Sequence, residues 1–172
     1  MLSYWLYILL GNDRTGKTTF QKRLIFQLCG VEYQRLGRNR VFEITHPRAP
    51  KKLTQLFIMS RSYQENKNEY ESLDKYFSDY FQDADICILS SHLNLDDVRE
   101  MMDQAHRIKY NVGGIFWSNS DNDTSEAIAR FNWDERFWMN NPSTEDEEQW
   151  NRQIDSLAKE FSELLILRAY SQ

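Results

Sequence analysis

The 172-residue sequence has no excess of positive charge, no hydrophobic run of membrane-spanning length and no repeat or low-complexity segment. Its net charge is −5 at pH 7, whereas general nucleic-acid-binding proteins are usually basic, so nucleic acid is not expected as a partner. No apolar run approaches the roughly 20 residues of a membrane-spanning helix, so no membrane association is predicted. The first apolar run begins almost at Met1 without a basic leader, so we expect no targeting segment.

Cysteine is also scarce. Cys29 and Cys87 are the only two, and both lie in apolar stretches without the spacing of a metal site. They are typical of reduced core residues in a cytoplasmic protein. Hydrophobic residues make up 41% of the chain and aromatic residues 14%, which indicates a folded globule. The length suits one α/β domain, so we predict a single domain over residues 1–172.

One segment of the chain has a specific chemical pattern. Residues 11–18 read GNDRTGKT and fit the phosphate-binding loop G-x-x-x-x-G-K-[ST]. The apolar run 4–10 before it predicts a buried strand, and residues 18–29 after it predict a helix that ends at Gly30. A phosphate loop needs this order of strand, glycine loop and helix. The sequence therefore predicts a nucleoside triphosphate site.

The predicted loop offers several groups to a triphosphate. Gly11 and Gly16 let the backbone curl so that its N–H groups face one anion, and the amino end of the helix adds its dipole. Lys17 can reach the β- and γ-phosphates, and the Thr18 hydroxyl can bind a metal ion. We therefore expect ATP and Mg²⁺ as cofactors, bound by Gly11, Asn12, Thr15, Gly16, Lys17, Thr18 and Thr19.

Strand-like and helix-like runs alternate along the chain. Five runs predict strands, at residues 4–10, 41–44, 56–59, 86–89 and 112–117. Helices between them predict a three-layer α/β P-loop NTPase fold with a mostly parallel five-stranded sheet. The aromatic-rich segment 118–143 is expected to be irregular. A carboxyl-terminal helix should follow it, opened by a capping box of Thr144 and Glu147.

Ligands of such sheets bind at the carboxyl ends of the strands, so the residues after each strand are site candidates. Arg48 and Arg61 follow the second and third strands, and two arginines there favour a second, phosphorylated ligand. His92 follows the fourth strand and suits either a general base or a plain polar position. Carboxylates are missing at these ends, where Ser60 and Ser90 stand instead.

These residues resemble the thymidylate kinase group of nucleoside monophosphate kinases, including its divergent phage-type members. Residues 11–19, GNDRTGKTT, are similar to the family loop G-x-D-R/G-x-G-K-[ST]-T. Residues 45–48, THPR, resemble its F-P-x-R segment, and residues 60–64, SRSYQ, resemble a third motif in which Ser60 replaces an aspartate. The resemblance covers roughly the first half of the chain, and its loop is the most specific part.

The resemblance implies a kinase that transfers the γ-phosphoryl group of ATP to a nucleoside monophosphate. Lys17 would hold the donor phosphates, Arg14 would stabilise the group in transfer, and Asp13 would orient the acceptor phosphate. The implied catalytic residues are thus Lys17, Arg14 and Asp13, and a homodimer is possible. The residues expected to bind the acceptor are Arg48, Arg61, Tyr63 and Gln64.

Two other functions stay open. The missing strand-end carboxylates favour a nucleotide-binding switch or assembly protein with little or no turnover. The short path from His92 into the next helix, without an arginine-rich lid, favours a polynucleotide 5′-hydroxyl kinase, although the net charge disfavours it. The aromatic residues of the second half could stack bases, but packing or a partner interface is favoured because no basic residues are interleaved: Trp117, Trp133, Phe137, Trp138 and Trp150.

Overall fold

A six-stranded sheet organises the chain in the computed structural model, which describes residues 4–172. Its order is β2-β3-β4-β1-β5-β6, and every neighbouring pair is parallel except β2 with β3. The predicted α/β class with a mostly parallel sheet is therefore confirmed, although the sheet has six strands instead of five. The strands are β1 (Trp5–Leu10), β2 (Asn39–Glu43), β3 (Gln55–Met59), β4 (Ile86–Ser91), β5 (Asn111–Trp117) and β6 (Glu135–Met139).

Helices cover both faces of this sheet. The helices are α1 (Lys17–Cys29), α2 (Lys67–Tyr70), α3 (Leu73–Asp79), α4 (Leu95–Arg107), α5 (Asp123–Ala129) and α6 (Glu147–Ser171), with 3-10 turns at Tyr63–Asn66 and Ser118–Ser120. One core lies under α1 and α6, and a second lies under α3, α4 and α5. Within residues 4–172, no helix is long and apolar enough to cross a membrane.

The central strand shows how the sequence separates the two cores. Successive side chains of a strand point to opposite faces. Tyr7 and Leu9 of β1 accordingly join the core under α1 and α6, whereas Leu6 and Ile8 join the other core. Every residue of β1 after Trp5 is buried, as expected of a strand covered on both faces.

Both cysteines lie in these cores. Cys29 and Cys87 are free, buried thiols, as their apolar surroundings predicted. Burial raises the pKa of each thiol to about 12. Both side chains therefore act as packing residues, because a buried thiol that stays protonated is a poor nucleophile.

The segment 118–143 is not irregular, and this prediction was wrong. It contains α5 and the edge strand β6, which pairs with β5 in parallel. Along β6, Arg136 and Trp138 are exposed while Met139 is buried. A charged edge strand of this kind lacks the continuous apolar run by which the inner strands were recognised.

The predicted start of the last helix also needs correction. α6 begins at Glu147, and its amino-terminal cap is Asp146, whose carboxylate accepts hydrogen bonds from the backbone N–H groups of Glu148 and Gln149. The Thr144 hydroxyl accepts from the Asp146 N–H instead of capping the helix. At the start of α4, the Asn94 side chain caps the helix by accepting from the Asp97 N–H.

A partly buried polar cluster joins β1, β6 and α6. The Tyr7 hydroxyl donates to Glu135 Oε1 at 2.7 Å, and the Arg168 guanidinium contacts both of these side chains. Burial, first, and the neighbouring Glu135 carboxylate raise the Tyr7 pKa well above its usual value. Tyr7 also lies against Gly113 of β5, where a β-carbon would come within 2.5 Å of the tyrosine ring.

We predict that Gly113→Ala destabilises the domain by about 1–3 kcal/mol, since the added methyl must displace a buried, hydrogen-bonded ring. Chemical denaturation followed by circular dichroism measures this change. Gly37→Ala is the matched control, because nothing lies within 4 Å of a β-carbon at that position. Equal stability of the two variants would contradict the packing described for Tyr7.

Candidate functional site

The loop between β1 and α1 bends at a glycine that cannot be replaced without strain. Gly16 has φ 100° and ψ 8°, in the left-handed region. A β-carbon there would also lie 2.8 Å from Ile154 Cδ1 and 3.0 Å from Trp150 Cζ2 of α6. Conformation and space both require glycine, and α1 begins at the next residue, Lys17.

A cavity of about 560 Å³ lies over this bend. Residues 13–19 form its floor, and they include seven of the residues singled out from the sequence. The ends of β3 and β4 form one wall with Ser60, Ser62, Glu65 and Ser90. Residues 143–145, Glu147 and Trp150 form the other wall. The amino end of α1 therefore faces an open, largely polar cleft, which suits an anion site.

Lys17 is the most buried charged group of the cavity, with only 8% of its surface exposed. Its ammonium donates to the backbone carbonyls of Gly11 and Asn12. Burial lowers the Lys17 pKa to about 8, and the carboxylates of Asp13 and Glu65 oppose that shift. The side chain is therefore a mostly protonated, weakly hydrated donor at neutral pH, which suits contact with phosphate oxygens.

The start of α1 is tied to the strand ends. The Thr18 hydroxyl is 3.5 Å from the Ser60 carbonyl. One turn later, the fully buried Gln21 donates through Nε2 to the Met59 carbonyl at 2.8 Å and to Ser90 Oγ at 3.2 Å. The loop, the metal-binding candidate Thr18 and the ends of β3 and β4 consequently form one rigid edge.

A carboxylate at this edge was missed by the sequence analysis. Glu65 lines the cavity from the 3-10 turn after β3, and its Oε2 accepts from the Ser62 N–H at 2.8 Å. Ser62 and Glu65 form a capping box, so the side chain is held in place. The sequence contains the signal, because S-x-x-E directly after a strand indicates a helical turn. A strand-end carboxylate is thus present five positions after Ser60.

Residues from the second half of the chain form hydrogen bonds with the backbone of the loop between β1 and α1. Asn141, which is fully buried after β6, donates through Nδ2 to the Thr15 carbonyl at 2.9 Å. Asn119, after β5, donates to the same carbonyl at 3.3 Å, and Ser120 Oγ accepts from the Asn12 N–H at 3.2 Å. These polar residues could not be assigned from sequence because the strand before Asn141 was itself not recognised.

Two predicted acceptor residues lie away from the cavity, contrary to expectation. Because β2 is antiparallel, its end at Glu43 pairs with Gln55 at the opposite edge of the sheet. Arg48 therefore pairs with Glu163 of α6 at 3.2 Å, about 24 Å along that helix from its cavity end. Tyr63 is 1% exposed and packs against Tyr70 in the core.

Two others lie near the cavity in different roles. Gln64 donates to Ser91 Oγ and Asp97 Oδ2 and accepts from the His92 N–H, so its side chain joins the ends of β3 and β4. Arg61 is exposed and directly follows the cavity residue Ser60. His92 Nε2 lies 3.2 Å from Asp13 Oδ1, which brings the histidine beside the loop.

Comparison with known proteins assigns no family to this chain. No family model matches the chain, and no match was found among curated proteins. The site must be interpreted from its own residues.

We predict that Asn141→Ala destabilises the domain by about 1–3 kcal/mol, because the buried Thr15 carbonyl loses its shorter hydrogen bond. Thermal and urea unfolding measure the loss. Asn119→Ala is the matched control and should cost less, since its bond to the same carbonyl is longer. A larger loss in the control would show that Asn141 is not the main support of the loop.

Proposed function

We propose that this chain binds a nucleoside triphosphate with Mg²⁺ and transfers its γ-phosphoryl group to a nucleoside monophosphate. The proposal depends on one observation above all. Gly16, whose backbone is in the left-handed region, lies with Lys17 and Thr18 in one cavity at the amino end of α1. The position of that cavity supports it, because β1 and β4 are neighbouring strands whose following helices, α1 and α4, cover opposite faces of the sheet.

The loop supplies the donor site in this proposal. Backbone N–H groups around Gly16 bind the phosphates, and Lys17 exchanges its two carbonyl partners for phosphate oxygens. Arg14 is exposed on the same loop and carries the second positive charge of the cavity. Both cations stabilise the charge on the group in transfer, which is the main task of a phosphoryl-transfer enzyme.

The charge of the cavity supports a metal requirement. Four carboxylates line it, against the two cations Lys17 and Arg14, so a free triphosphate would be repelled. Mg²⁺ neutralises phosphate charge when bound, and it prefers oxygen ligands. The Thr18 hydroxyl would hold the ion, and Glu65 would bind its water shell in place of the missing carboxylate at Ser60. The four carboxylates belong to Asp13, Glu65, Glu145 and Glu147.

The acceptor would bind at the β3 and β4 wall. Arg61 is the remaining arginine for its phosphate, and Asp13 would orient the attacking group beside His92. Such positioning lowers the barrier because the attacking group and the γ-phosphoryl group are held in line.

The location of Arg48 favours a second candidate, a nucleotide-binding switch with little turnover. With Arg48 paired to Glu163 and Tyr63 in the core, a single arginine would have to hold the acceptor. A polynucleotide kinase is disfavoured, because the four carboxylates of the cavity would repel a polyanionic strand.

We predict that Lys17→Ala weakens ATP binding at least ten-fold, since a charge-assisted contact is worth about 1.5–3 kcal/mol. Calorimetry with Mg²⁺ measures the affinity, and chelating the metal should weaken binding by the unmodified protein too. Lys22→Ala is the matched control, because Lys22 lies on the same helix and bonds the Gln34 carbonyl outside the cavity. Unchanged ATP affinity in Lys17→Ala would refute the donor site.

We predict that Asp13→Asn keeps or improves ATP affinity while phosphoryl transfer falls roughly a hundred-fold, because the carboxylate repels the donor and helps only during transfer. The assay follows ADP production with a panel of nucleoside monophosphates. A switch would instead show no acceptor-stimulated ADP even in the unmodified protein, together with an ATP-dependent change of mass in light scattering. That result would refute the proposed kinase activity and favour the nucleotide-binding switch.

A further inference from the structure

The two walls of the cavity differ in chemistry. The β3 and β4 wall presents three serines and Glu65, all short or charged side chains. The opposite wall, formed by residues 143–145, Glu147 and Trp150, is called the α6 wall. It presents the indole of Trp150 and the exposed carboxylates of Glu145 and Glu147. A phosphate chain and a flat aromatic base would therefore favour opposite walls.

The loop sets the direction of the triphosphate. In loops of this pattern, the lysine reaches the β- and γ-phosphates, and the threonine hydroxyl binds the Mg²⁺ ion at those phosphates. Here the Thr18 hydroxyl lies 3.5 Å from the Ser60 carbonyl, so the reactive end of the phosphate chain belongs to the β3 and β4 wall. The nucleoside end is left to the α6 wall.

Trp150 is held firmly enough to serve as a binding surface. Its ring lies against the loop, since a β-carbon on Gly16 would approach Trp150 Cζ2 to 3.0 Å. Its backbone N–H donates to the carbonyl of the capping residue Asp146 at 2.9 Å, so it stands in the first turn of α6. The side chain is half-buried, and it packs on the core while it lines the cavity.

The carboxylates of Glu145 and Glu147 indicate which kind of ligand group could lie against Trp150. The side-chain carboxylates of Glu145 and Glu147 form no hydrogen bond or ion pair with any other residue in the 4–172 range. Carboxylates at this wall repel phosphate but accept hydrogen bonds from amino groups. An aromatic face with unpaired acceptors at its edge suits a neutral, planar ring that carries an amino group.

We propose that Trp150 is the stacking surface for the base of the bound nucleoside triphosphate, and that Glu145 and Glu147 favour bases with an exocyclic amino group. This inference rests on the proposed triphosphate site and adds the part of the ligand beyond the phosphates. The alternative is that Trp150 only supports Gly16 from behind. The two roles differ in a measurable way, because a support for the loop affects every triphosphate, whereas a stacking surface affects only those with a base.

The test compares ATP with inorganic tripolyphosphate, both with Mg²⁺, by calorimetry. In Trp150→Ala, ATP affinity should fall about ten-fold or more, the scale of one base–aromatic stack, while tripolyphosphate affinity stays within two-fold of wild type. Trp150→Phe keeps an aromatic face and should retain most of the ATP affinity. Trp138→Ala is the matched control, because Trp138 is 49% exposed and stacks on Phe116 away from the cavity.

A second comparison tests the two acids. Wild type should bind ATP several-fold more tightly than inosine triphosphate, whose base has an oxygen in place of the amino group. The double variant Glu145→Ala, Glu147→Ala should lose that preference. An unchanged preference would overturn the role of the acids.

The remaining outcomes separate this inference from the proposed function. Equal losses of ATP and tripolyphosphate in Trp150→Ala would overturn stacking and identify a support for the loop, and no loss of either would overturn it as well. Wild type that binds tripolyphosphate as tightly as ATP would overturn base recognition alone. Wild type that binds neither would overturn the triphosphate site and this inference with it.

Discussion

The left-handed bend at Gly16 is the constraint on which the rest of the site depends. The chain must turn from β1 into α1 at this residue, and α6 leaves no room for a side chain there. The bend sets the start of α1 and therefore the positions of Lys17 and Thr18. It also explains why α6 lies where it does, because Ile154 and Trp150 fill the space that a side chain would have occupied.

The second half of the chain is a support for the first. Residues after β5 and β6 hold the loop through the Thr15 carbonyl and the Asn12 N–H, and the start of α6 closes the cavity. A buried carbonyl without a partner is costly, so Asn141 gives the loop a shape that its own residues do not secure. The phosphate-loop pattern is local in sequence, but its rigidity comes from residues more than a hundred positions away.

Charged side chains are distributed unevenly over the cavity. Both cations and Asp13 lie on the floor, and the other three carboxylates lie on the walls, with serines at one side and an indole at the other. Burial lowers the Lys17 pKa to about 8 while Asp13 and Glu65 oppose the shift, so the lysine keeps its proton at neutral pH because acids surround it. In the proposed function, the same acids would repel a bare polyanion and favour a metal-bound one. Specificity in such a site comes from what is repelled as well as from what is bound.

The sequence by itself determined the inner parallel strands, the helix end at Gly30 and the loop at residues 11–18, because each has a local cause in hydrophobic period or backbone conformation. Tertiary structure alone decided the rest. The antiparallel direction of β2 sends Arg48 to the far edge of the sheet, and the polar edge strand β6 brings Asn141 under the loop. Strand direction and edge pairing depend on long-range hydrogen bonds, and residue order does not reveal these.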